Sequence, residues 1–163
     1  MKGRTAILVA TILAAVSLSF AAPTAQQTFD QLKGLEGNWE TKTPDGKIAQ
    51  ISFRLMGNGS SLVSEISGPE SMVSVIHMDK GRLLLTHYCA AGNQPRMQAT
   101  ASPDGKVITF DFVDGTNLLP SQNGHMRRLV ITIADANHHT EDWTFAGNDG
   151  KEMRERFDLQ RKK

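Results

Sequence analysis

The densest group of side chains able to do chemistry occupies one short stretch: His87, Tyr88, Cys89, Asn93, Gln94 and Arg96. A histidine and a cysteine two residues apart share a strand face, the arrangement in which an imidazole could deprotonate a thiol. No third group that would orient the imidazole is evident, so a nucleophile pair is not expected. The pair reads more simply as a hydrogen-bonded histidine and a small buried hydrophobe. His125 and Arg127, which open a later apolar segment, belong to the same end of the molecule. His87, Cys89, Asn93, Gln94, Arg96, His125 and Arg127 are therefore the polar groups expected to orient a ligand in an otherwise apolar pocket.

Other chemistry-bearing residues carry less. His138 and His139 are adjacent, which on a strand sends them to opposite faces, and Asp135-Ala136-Asn137 before them reads as a solvated hairpin turn rather than part of a metal site. Glu141 and Glu155 fall on inward parity, but a two-carboxylate hydrolase needs them at a defined separation that alternation does not supply. Arg161-Lys162-Lys163 reads as a solvated tail. There is no phosphate loop, nucleophile elbow or metal motif at persuasive spacing, and no catalytic or metal-ligating residue is assigned.

Ten short runs rich in Val, Ile, Thr and Phe must position these groups, at residues 39–43, 48–56, 61–67, 72–78, 83–89, 96–101, 106–112, 126–134, 140–146 and 151–159. Glycine-bearing turns such as Pro44-Asp45-Gly46, Gly57-Asn58-Gly59, Lys80-Gly81, Pro103-Asp104-Gly105 and Asn148-Asp149-Gly150 separate them, so consecutive strands pair as antiparallel hairpins. A two-residue loop at Lys80-Gly81 sets Asp79 across from Arg82 and Ser74 across from His87. Period-two alternation points Ile51, Phe53, Leu55, Ile108, Phe110, Phe112, Leu129, Ile131, Ile133, Trp143, Phe145, Met153, Phe157 and Leu159 inward. Their neighbours are polar. One-sided strands in this number read as an all-β, antiparallel up-and-down barrel of about ten strands. A short helix begun by Thr28 and carrying Phe29, Leu32 and Leu35 is expected to plug one end. The longer connections, 90–95 and 113–125, gather at the other end, which is the expected mouth.

Lys2 and Arg4 precede an apolar run from Ala6 to Phe20 that ends in small residues, the pattern of a secretory signal peptide over residues 1–21. The run is shorter than the roughly 20 residues that cross a bilayer, so no membrane span is expected after cleavage. Residues 22–27 read as a linker and 28–163 as one domain, and the expected location is secreted or periplasmic. Losing Lys2 and Arg4 takes the basic residues from 18 to 16 against 17 acidic ones, a balance that recruits neither nucleic acid nor an anionic membrane. Cys89 is the only cysteine, so no intrachain disulfide can form and stability must come from burial.

The segment Leu35-Glu36-Gly37-Asn38-Trp39, just after the helix and opening the first strand, resembles the Gly-x-Trp motif of lipocalins and the wider calycin superfamily. The resemblance implies that Gly37 and Trp39 sit at the closed end and that an arginine of the last strand, Arg154 or Arg156, covers the indole. The strand count is closer to fatty-acid-binding and nitrobindin-like barrels than to eight-stranded lipocalins. Leu84-Leu85-Thr86-His87-Tyr88-Cys89 leading into Gly92-Asn93-Gln94-Pro95-Arg96 also resembles small exported bacterial calycin-like proteins without an assigned activity. Nitrobindin-like barrels hold haem through a histidine near the chain end. No histidine lies in the last strand here, so the ligand the resemblance implies would be His87 or another histidine. The architecture implies a small apolar or amphipathic ligand. The alternatives are a haem-binding or enzymatic barrel and a packed interaction module of the cell envelope, whose exposed apolar contact would be Leu118-Leu119-Pro120.

Overall fold

A computed structural model describes residues 21–163 apart from 44, 45, 69 and 122; of the segment read as a signal peptide, residues 1–20 lie outside the described residues. Helix α1 (Ala25–Lys33) is followed by β1 (Gly37–Lys42), β2 (Ile48–Met56), β3 (Ser61–Ser67), β4 (Met72–Asp79) and β5 (Arg82–Tyr88). Then come β6 (Gln94–Ala101), β7 (Val107–Thr116), β8 (Gly124–Asp135), β9 (His138–Gly147) and β10 (Glu152–Arg161). All neighbours pair antiparallel in chain order, and β1 pairs with β10 to close the barrel. The expected register of the β4–β5 hairpin is present, with Ser74 across from His87 and Asp79 across from Arg82.

The helix starts at Ala25, inside the stretch read as linker, because Thr24 rather than Thr28 caps it. The Thr24 hydroxyl accepts from the Gln27 backbone N–H, and the Gln27 side chain accepts in turn from the Thr24 N–H, so two otherwise orphaned donors are satisfied. Thr28 is instead buried inside the helix and donates back to the Thr24 carbonyl. α1 lays Phe29 and Leu32 against the barrel core, where they join Leu35, Trp39, Phe53, Leu62, Leu85, Ile108 and Phe110. Burial of each such side chain contributes about 1.5–3 kcal/mol.

The strands also run further than the sequence patterns indicated. β7 and β8 extend to Thr116 and Gly124, which shortens the 113–125 connection to residues 117–123. β9 begins at His138, so the turn is confined to Ala136 and Asn137. This lengthening carries His139 into the core.

Closure is uneven. β9 and β10 pair along nine positions, whereas β1 and β10 pair only at Trp39–Arg161 and Glu40–Gln160. Residues 152–156 are exposed along both faces of β10, so the β9–β10 hairpin projects past its seam with β1 at the end opposite α1.

Candidate functional site

The closed end is built around Trp39. Its indole N–H donates to the Leu35 carbonyl at 2.7 Å, and its ring is fully buried against His139, with centroids 4.2 Å apart edge to face. The cation over the indole is Arg161, at 4.2 Å from the ring centroid, and not Arg154 or Arg156. Those two lie on the outer face, where Arg154 pairs with Glu152 and Arg156 with Asp142. The correction follows from register. Trp39 lies across from Arg161, so only the last residue of β10 reaches the indole. Arg161 also donates to the carbonyls of Gly34, Glu36 and Ala136, tying α1 and the β8–β9 turn to the seam. Gly37 adopts φ 131°, and a Cβ there would stand 2.8 Å from the Arg161 guanidinium. The glycine of the Gly-x-Trp triplet therefore makes room for the cation that covers the tryptophan.

The residues expected at the mouth are dispersed rather than convergent. His87 faces the interior and, like Asn93, is fully buried; its Nδ1 lies 2.9 Å from the Ser74 hydroxyl, and its Nε2 has no hydrogen-bond partner. Burial lowers its pKa to about 4, so the ring is neutral at pH 7. Cys89 is a half-buried free thiol in the β5–β6 turn, and burial pushes its pKa up, which makes it a poor nucleophile. Asn93 is buried and donates to the Gly124 carbonyl at 2.8 Å, and Gln94 accepts from Thr116 and Asn117. Arg96 pairs with Asp114 on the outer surface and Arg127 with Glu152. His125 is half-buried, its ring 4.4 Å from that of Phe112. The bonds of Asn93 and Gln94 join the β5–β6 turn and the start of β6 to β7, β8 and the connection between them.

The open depression lies on the other side of the 117–123 connection. It has a volume of about 490 Å³ and is lined by Pro120, Asn123, Phe145, Asn148, Lys151 and Met153, among others. Phe145 and Met153 face each other across the β9–β10 ladder on the inward side, and Met153 is 64 % exposed there.

Beneath it, the inward residues of β9 and β10 descend in paired levels: Trp143 with Glu155, Glu141 with Phe157, His139 with Leu159. Glu141 is buried, accepts from the Trp143 indole N–H at 2.9 Å and lies 3.5 Å from His139 Nε2. The Trp143 ring in turn packs on His87 at 4.8 Å. His139 and Glu141 were legible only as parity: once β9 begins at His138, the alternation His139, Glu141, Trp143, Phe145 is unbroken. Among the described residues no group of three or more His, Cys, Asp or Glu could hold a metal ion, and no helix is long and apolar enough to cross a membrane.

No family model matches the chain, and no curated protein matches it. Solved structures do. The crystal structure of Rv2717c from M. tuberculosis aligns with a TM-score of 0.54 at 17 % identity, over 83 % of this chain and 98 % of that one. The likeness is one of fold.

Proposed function

We propose that this is an exported calycin-like barrel that binds a small, largely apolar molecule at its open end. The observation that carries the reading is the difference between the two ends. At one end α1 and Trp39 are packed into the core, while at the other the inward-facing Met153 and Phe145 line a depression of about 490 Å³. An apolar inward face left open to solvent is a natural seat for an apolar ligand. The lower half is a filled core that holds the rim in place.

Native mass spectrometry of the mature protein, followed by solvent extraction, tests this reading. A bound small molecule that is lost on Met153→Glu supports it; an empty protein that also ignores a neutral hydrophobic dye such as N-phenyl-1-naphthylamine overturns it. Export is tested by cell fractionation with N-terminal sequencing, which should find mature protein outside the cytoplasm and beginning near residue 22.

A haem reading has the unpartnered Nε2 of His87 in its favour. The residues around that atom do not fit a haem as they stand. His87 has 0 % exposed surface, so no space even of water size adjoins the nitrogen, and Trp143 covers the ring.

A further inference from the structure

We propose that two copies of this chain join edge to edge, β10 against β10 and antiparallel about Met153, to form a two-fold dimer with one sheet running through both barrels. Such a dimer forms whether or not the depression holds a small molecule.

β10 has a free edge. It pairs with β9 from Glu152 to Gln160, but on its other side, among the described residues, β1 pairs only with Gln160 and Arg161. Backbone alternation shows what the rest of that edge offers. The Arg161 N–H donates to the Asn137 carbonyl beside β9, and the Lys162 N–H donates to the Asn38 carbonyl of β1. Along this unbroken ladder the odd-numbered residues therefore bond β9. Glu152, Arg154, Arg156 and Asp158 aim both N–H and C=O at the side where no described strand pairs with them. All four are solvent-exposed. An edge of this kind is a template for a further strand.

Charges along an edge ordinarily deter such pairing, so their order decides what the edge accepts. Lys151-Glu152-Met153-Arg154-Glu155 is complementary to itself when reversed. With the axis at Met153, Glu152 lies across from Arg154 of the second copy, Lys151 across from its Glu155, and the two Met153 side chains meet. Symmetry repeats each charged pair. The parity agrees, since residues 152 and 154 are those whose backbone groups face outward and so bond each other in this register. Neighbouring registers fail. Centred on Glu152, Arg154, Glu155 or Arg156, the ladder sets a charge against itself at the axis; centred on Phe157, it runs into β1 at Gln160.

Apolar packing points the same way. Met153, 64 % exposed, is the most exposed large hydrophobic side chain among the described residues. Met126, Phe145 and Met153 already form one rung across β8, β9 and β10, and the axis doubles its length. The ion pairs to be exchanged are Glu152 with Arg127 at 2.8 Å and Arg154 at 3.3 Å, and Lys151 with Asp149 at 3.1 Å. They lie at the surface, so replacing them with pairs across the axis costs little. A ladder this short makes a weak, reversible dimer.

The test is sedimentation velocity of the mature protein at low ionic strength, from roughly 5 µM to about 0.5 mM. A shift from monomer to dimer with concentration is expected, and the amides of Glu152 and Arg154, fast to exchange in dilute protein, should slow as it proceeds. Glu152→Arg and Arg154→Glu each set like charges across the axis twice, and either alone should weaken association at least about tenfold. An equimolar mixture of the two variants should regain it as a mixed dimer, seen by native mass spectrometry, because each carries the charge the other lacks. Neither position lines the depression, so small-molecule binding is read separately. A chain that stays monomeric over the whole range overturns the inference. Single variants that associate as the native chain does, or a mixture that fails to regain association, also overturn it.

Discussion

Arg161 and His87 are the two residues whose surroundings commit them most strongly. Arg161 combines a cation–π contact with three carbonyl acceptors from two separate segments, whereas Arg154 and Arg156 hold single exposed carboxylates. Exposed ion pairs contribute about 0–1 kcal/mol, while several charge-assisted bonds at a half-buried site contribute more. Urea unfolding should show Arg161→Ala losing about 2–4 kcal/mol and Arg154→Ala or Arg156→Ala losing less than about 1 kcal/mol. Equal losses would show that the seam does not depend on the Trp39 cap. His87 gives a pH signature. Its folded pKa of about 4 lies below the ordinary 6.5, so between those values the unfolded chain binds the extra proton. Its contribution is present above pH 6.5, is lost as pH falls towards 4, and levels off below that. The total is about 3 kcal/mol. The urea midpoint of the native protein should therefore fall across pH 6.5 to 4 more steeply than that of His87→Gln. Parallel curves would mean the imidazole is not buried neutral. Of these two residues, the sequence disclosed the inward face of His87 through the Lys80-Gly81 turn. It concealed Arg161, because a C-terminal Arg-Lys-Lys run looks like a solvated tail until the β1–β10 register is known.

At the scale of elements, turn chemistry and alternation were enough to place ten strands, their order and most of the inward residues. What they missed were strand ends, where hydrogen bonding continues after the hydrophobic pattern stops: β7 continues through Asp114 and Gly115, and β9 starts at a histidine. Those ends bear on the site, because extending β7 and β8 shortens the connection at the expected entrance to residues 117–123 and extending β9 places buried His139 on the strand. Gly124 shows how tightly this region is fitted. It has φ 137°, and an added Cβ would collide with the Ala146 carbonyl and stand 2.8 Å from Phe145. Gly124→Ala should destabilise the protein by several kcal/mol, on the order of 2–4, seen as a lower thermal midpoint. A midpoint unchanged within error would contradict the β8–β9 register. The short β1–β10 ladder makes a second prediction. Amide hydrogen exchange should be fastest, within the barrel strands, along residues 152–158 and slowest in the central positions of β8 and β9. Uniform protection around the barrel would show a seam as firm as the other ladders.

Taken whole, the molecule is a cylinder with a core at one end and a recess at the other. The sequence indicated which end was plugged, since the helix precedes the first strand. It could not indicate whether the open end was filled, because that depends on how far Met153, Phe145 and the 117–123 connection stand from one another and not on their types. Backbone amide NMR of the mature protein titrated with 1-decanol measures this directly. Saturable shifts are expected at Asn123, Phe145, Gly147, Lys151 and Met153, with residues around Trp39 and Arg161 unmoved. Shifts absent throughout, or confined to the outer face around Arg128, Thr144 and Arg156, would contradict it.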